Sequence, residues 1–98
     1  LRPARRELRE ETGYAARRWQ ALGNFYSSPG FCRETLRLFL ARDLVRQGDL
    51  QLDADEQVTP EIFSRRSLAR LLKHGELEDA KTALALQLAA KQLHWPAF

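Results

Sequence analysis

The residues with the clearest capacity for chemistry form one short run, Arg6-Glu7-Leu8-Arg9-Glu10-Glu11-Thr12-Gly13-Tyr14. Pro3 to Thr12 reads as a helix: Pro3 suits a first turn, the interior is Ala, Arg, Glu and Leu, and Gly13 stands where a left-handed C-terminal residue belongs. At about 100° per residue, Glu11 lies about 40° to one side of Glu7 and Glu10 about 60° to the other. Three carboxylates therefore share an arc of roughly 100°, while Ala4 and Leu8 form a narrow apolar stripe. Like charges at this spacing repel by a few tenths of a kcal/mol where water screens them, and by more in a cleft. Arg6 and Arg9 relieve the repulsion in part; a divalent cation does so better, since Mg²⁺ prefers hard carboxylate oxygens and bridges them to phosphates. A solvated helix carrying Glu and Arg for solubility and intrahelical pairing satisfies the same pattern, so on residue types alone both readings stand.

The rest of the chain must position this face. Trp19 to Tyr26 reads as a strand, ended by the turn Ser27-Ser28-Pro29-Gly30. Leu36 to Ala41 alternates three leucines with Arg37, Phe39 and Ala41, the best strand signal present. Gly48 to Glu56 is polar and acidic, hence a loop, and Val58 to Phe63 reads as a possible strand that Pro60 demotes to an edge or bulge. Ser64 caps a helix through His74, with Leu68, Leu71 and Leu72 on one face and Gly75 as its stop. Asp79 opens a last helix to about Leu93, apolar around most of its girth. His74 suits a helix end and reads as structural, His94 and Trp95 fall in a frayed tail, and Trp19 and Phe25 fit either core packing or stacking on a base. The element order is mixed α/β or α+β.

Composition removes several classes. No apolar run approaches the roughly 18–20 residues of a membrane span, and the N-terminus lacks the apolar stretch of a signal peptide. The single cysteine, Cys32, allows no internal disulfide and no cysteine-rich zinc site, which makes a reducing, cytoplasmic setting the default. Net charge is +3, but residues 1–49 carry ten Arg against six acids while residues 50–98 carry six bases against seven. An arginine-rich front half fits an anionic partner, with phosphate the commonest kind. A small nucleic-acid binder rests on that basicity alone, and the three-glutamate face speaks against it. A 98-residue chain that opens on Leu1 and contains no Met reads as a piece of a longer product.

The run from Arg6 to Tyr14 resembles the second half of the Nudix box: Gly, five residues, Glu, seven residues, then Arg-Glu-aliphatic-any-Glu-Glu-any-Gly-aliphatic. Arg6, Glu7, Leu8, Glu10, Glu11 and Gly13 fit position by position, with Tyr14 in the last apolar slot. Counting back from Arg6, the upstream Gly and Glu would precede Leu1. Pro29 follows Tyr14 by fifteen residues within Ser28-Pro29-Gly30, as in the ADP-ribose pyrophosphatase branch, and the later segments resemble that branch in order. Pro60 departs from its usual regular strand, and Ala54 stands where relatives often carry a second acid.

The resemblance implies residues 1–98 as the C-terminal part of a single Nudix hydrolase domain, an α/β/α sandwich with a mixed sheet, incomplete at its N-terminus. It implies hydrolysis of ADP-ribose or a related nucleoside diphosphate sugar to AMP and ribose 5-phosphate. Glu7, Glu10 and Glu11 would hold Mg²⁺ or Mn²⁺, Arg6 would orient a glutamate, and Ser28, Pro29 and Gly30 would form a substrate loop. The general base would come from the acidic loop, with Glu56 first, Asp55 second and Asp53 third. A homodimer is implied for the full-length form, with no membrane or nucleic-acid partner. The alternative is a non-catalytic truncated piece, or a partner-binding remnant of such a protein.

Overall fold

The computed structural model describes residues 1–26, 34–48, 60–96 and 98. Its elements are α1 (Arg2–Thr12), β1 (Tyr14–Tyr26), β2 (Thr35–Arg46), α2 (Arg65–Lys73) and α3 (Ala80–Gln92). The class is α+β, as expected. The sheet of the described residues has two strands, β1 and β2, which pair antiparallel. It contains no parallel pair, so a mixed sheet is not part of the described structure.

The chain divides into two compact units. The first comprises Leu1–Gln20 and Ala41–Ile62, the second Ala21–Leu40 and Phe63–Phe98.

In the first unit, α1 ends where a single glycine turns the chain into β1. Gly13 has φ 77° and ψ 10°, and its N–H donates to the Arg9 carbonyl at 2.8 Å. This left-handed cap lets β1 begin at Tyr14, five residues earlier than the alternation from Trp19 indicates. The Thr12 hydroxyl donates to the Leu8 carbonyl at 2.6 Å and accepts from the Tyr14 N–H at 3.1 Å, joining the end of the helix to the start of the strand. The Gly13 carbonyl accepts from the N–H groups of Gln47 (2.8 Å) and Gly48 (3.3 Å), just past the end of β2. Gly13 is buried in this junction. An L-residue in left-handed backbone costs about 1–2 kcal/mol, so Gly13→Ala is expected to lower stability by about that much, read as a drop in the denaturation midpoint.

β2 extends to Arg46, past the expected end at Ala41, and takes in Asp43, whose φ of 58° departs from extended geometry. Asp is among the few residues that adopt this conformation readily. Its carboxylate pairs with Arg18 of β1: Nε donates to Oδ2, and Nη2 to Oδ1 at 3.3 Å. Local spacing could not reveal this pair, because its members are 25 residues apart and meet only through strand register.

In the second unit, Ser64 caps α2 by accepting the Ser67 N–H at 3.1 Å, and Asp79 caps α3 by accepting the Lys81 N–H at 3.0 Å and the Thr82 hydroxyl at 2.9 Å. Both are the residues that helix-capping chemistry selects. Gly75 follows α2 with φ 66°, as a stop should. Ala90 is the one fully buried apolar residue among those described. Ala83 to Leu86, Leu88 and Ala89 of α3 are half-buried, and Leu22, Leu38, Phe39 and Leu40 with Ala85, Leu86 and Ala89 border an open hollow of about 350 Å³.

Two expectations need correction. Of the possible strand Val58 to Phe63, residues 60–63 have no regular structure and Ile62 is 98% exposed; Val58 and Thr59 lie outside the described residues. Pro60 cannot donate to a ladder, which removes one strand bond outright. The supposedly frayed tail is tied down: the Trp95 N–H donates to the Ala90 carbonyl at 2.9 Å. Its ring meets Phe98 edge-on at 6.3 Å, and the Arg65 guanidinium sits 5.6 Å from the ring centroid.

Candidate metal-binding face of the first helix

Helix α1 presents Arg5, Leu8 and Thr12 toward the rest of its unit. Thr12 bonds across the helix–strand junction, Leu8 is half-buried, and the Arg5 guanidinium lies 6.0 Å from the Trp19 ring centroid of β1. That contact gives Trp19 a cation–π partner. With this side engaged, the carboxylates fall on the remaining surface: Glu7 is exposed, and Glu10 and Glu11 are half-buried. Arg6 reaches Glu10 at 3.9 Å across one turn.

The charge placement runs against the helix dipole. α1 has no acid in its first turn, and Glu10 and Glu11 stand in its last, where the backbone carbonyls already carry partial negative charge. Each such placement costs about 0.3–1 kcal/mol at an exposed site, added to the mutual repulsion. Arg9, also in the last turn, offsets part of this.

Three hard oxygen donors on one helix face suit a magnesium-type ion by donor chemistry. Among the described residues, no three Asp, Glu, His or Cys side chains are gathered closely enough to hold a metal ion. Glu10 leans instead on Arg6. An exposed i, i+4 pair of this kind contributes about 0.3–0.5 kcal/mol, so rotating Glu10 toward a cation forfeits little. The Thr12 and Gly13 bonds meanwhile fix the helix end from which Glu10 and Glu11 project.

The other expected site residues lie outside the described set: Ser28, Pro29 and Gly30 of the expected substrate loop, and Asp53, Asp55 and Glu56 of the expected acidic loop. His74 stands at the end of α2, its backbone N–H donating to the Arg70 carbonyl. Trp19 carries Arg5 near its ring, a contact that the strand reading of Trp19 did not foresee.

Asp43 has the clearest electrostatic perturbation in this unit. The hydrogen bond from Arg18 holds its carboxyl below the 3.8 of an unperturbed aspartate; desolvation opposes it, and the charges of Arg18, Arg42 and Arg17 add weaker attraction. A carboxyl lowered in the folded state stabilises the fold above its unfolded pKa and loses that contribution as pH falls through the folded value. Asn tolerates the same backbone conformation, so Asp43→Asn isolates the charge. The stability difference between the two proteins is expected at neutral pH and should close progressively below about pH 4, as followed by denaturation across an acid series. A gap that stays constant down to pH 2 would show that the pair contributes nothing through charge.

The described helices include none long and apolar enough to cross a membrane. A family model described as the NUDIX domain matches residues 3–86. The chain is 42% identical over 85 residues to an ADP-ribose pyrophosphatase of Bacillus subtilis (strain 168), a match covering 86% of the chain and 46% of that protein. It is 35% identical over 85 residues to a methanol dehydrogenase activator of Bacillus methanolicus, with the same two coverages. An ADP-ribose pyrophosphatase of Mycobacterium tuberculosis (strain ATCC 25618 / H37Rv) is 36% identical over 75 residues, covering 76% of the chain and 36% of that protein. The chain thus spans about half the length of the first two relatives and less of the third.

Proposed function

The chain belongs to the Nudix family, and from that premise we propose that its protein is a divalent-metal-dependent hydrolase of ADP-ribose or a related nucleoside diphosphate sugar, yielding AMP and ribose 5-phosphate from ADP-ribose. The observation carrying this reading is the α1 face: Glu7, Glu10 and Glu11 on one side of a helix whose end is bonded to β1 and to the residues after β2. The names of two relatives supply the substrate class.

Glu7, Glu10 and Glu11 would hold Mg²⁺ or Mn²⁺, with Glu7 and Glu11 as the i, i+4 pair. When bound, the metal supplies charge neutralisation on the phosphate oxygens and acidifies water. Arg6 would orient a glutamate rather than contact substrate, and Glu10 is the one within its reach. Ser28, Pro29 and Gly30 would border the substrate. Glu56, with Asp55 as the alternative, accepts the proton of the attacking water. The water oxygen bonds to one phosphorus while the bridging oxygen leaves with the other.

The test is a substrate panel with the purified protein. Hydrolysis of ADP-ribose is expected with Mg²⁺ and should fall to background when the metal is chelated, then return on readdition. Equal turnover with and without chelator would overturn the metal-dependent reading. The relative named as an activator supports a second reading, action upon a partner dehydrogenase. Stimulation of a dehydrogenase without turnover of any panel substrate would favour it.

A further inference from the structure

Arginine density in the first half of the chain is not absorbed by the α1 face. Within the first unit, Arg17, Arg18, Trp19 and Gln20 of β1 and Arg42 of β2 line one hollow of about 410 Å³. Among the described residues, Arg18 alone of the three lining arginines is ion-paired, with Asp43. Among the described residues, three guanidinium groups at this hollow stand against one ion-paired carboxylate. Gathering like charges at one strand pair costs stability unless something negative compensates. Arginine is also the side chain whose planar donor fork matches phosphate oxygens.

We infer that this hollow is a binding site for a phosphate-bearing anion, held by Arg17 and Arg42 with Arg18 aligned by Asp43. Two guanidinium groups with no ion-paired carboxylate among the described residues suit the oxygens of a phosphate or pyrophosphate. Asp43 has a definite part: it fixes Arg18 in a forked contact from β2, so that a guanidinium stands ordered at the rim before any ligand arrives. Pre-ordering lessens the entropy cost of capture. Trp19 supplies a rigid wall. The site uses none of Glu7, Glu10 and Glu11, so it does not depend on the hydrolase proposal.

The probe is inorganic pyrophosphate, titrated calorimetrically into the protein with divalent metal chelated, which silences the α1 face and makes the two proposals fail separately. Saturable binding is expected, weakening as salt is raised. Arg17→Gln with Arg42→Gln should raise Kd at least tenfold. Arg17→Lys with Arg42→Lys keeps the charge but not the planar fork and separates a binding effect from a folding one: its loss of affinity should be smaller than that of the glutamine pair. Absence of saturable binding, an unchanged Kd in the glutamine pair, or an equal loss in the lysine pair would each overturn the assignment.

Discussion

Glu11→Gln is expected to lower ADP-ribose hydrolysis by about 10²–10³-fold at fixed Mg²⁺, with the fold intact. The substitution keeps the shape of the side chain and removes one negative charge from the α1 face. Lewis-acid stabilisation of a phosphoryl transition state is worth several kcal/mol, and each 1.36 kcal/mol corresponds to about tenfold in rate. Loss of one ligand that still leaves two carboxylates should forfeit a large part of it. The expected signature has two parts: a lower kcat, and a higher Mg²⁺ concentration for half-maximal rate. Stability should hold or rise slightly, because Glu11 stands in the last turn of α1, where its charge opposes the helix dipole. A variant that is both inactive and unfolded would point to a structural role, whereas retained turnover would sink the ligand assignment.

Glu56→Gln is expected to lower kcat by about 10²–10⁴-fold, the range for loss of a general base, without changing the Mg²⁺ dependence. The distinction from Glu11 lies in that second readout. A base acts on the proton of water, so the acidic limb of the kcat profile should vanish in Glu56→Gln and persist in Asp55→Asn. If Asp55→Asn removes the limb and Glu56→Gln leaves it, the base is Asp55. Persistence of the limb in both variants would exclude this loop. Added formate or azide, small enough to enter the space left by a truncated carboxylate, is expected to restore part of the rate lost in a Glu56→Ala protein.

Both predictions rest on residues whose chemistry is local. The α1 face is legible because three glutamates at i, i+3 and i+4 share a helix side whatever the helix packs against. Ser64 and Asp79 are legible as caps for the same reason: each bonds backbone groups two or three residues away. Gly13 as the helix stop follows from the left-handed cap that glycine permits.

What was not legible depends on register. β1 was expected from Trp19 and begins at Tyr14, because Tyr14-Ala15-Ala16-Arg17-Arg18 lacks alternation and is held extended by its neighbours, the Thr12 hydroxyl and β2. β2 continues through Arg42-Asp43, where the run of leucines has ended, since Arg18 stands across from Asp43. Trp95 looked frayed because its partners, Arg65 and the Ala90 carbonyl, belong to α2 and α3.

By itself, the order of residues determined the family, the helices with their caps, and the carboxylate face, all of which follow from separations of about one or two helical turns. Tertiary structure alone decided that the end of α1 is bonded to β1 and to Gln47 and Gly48. It also decided that three arginines meet in one hollow beside Trp19. The strand contacts join residues some 25 to 35 positions apart, whose meeting is set by how two strands pair, a choice that local spacing does not encode.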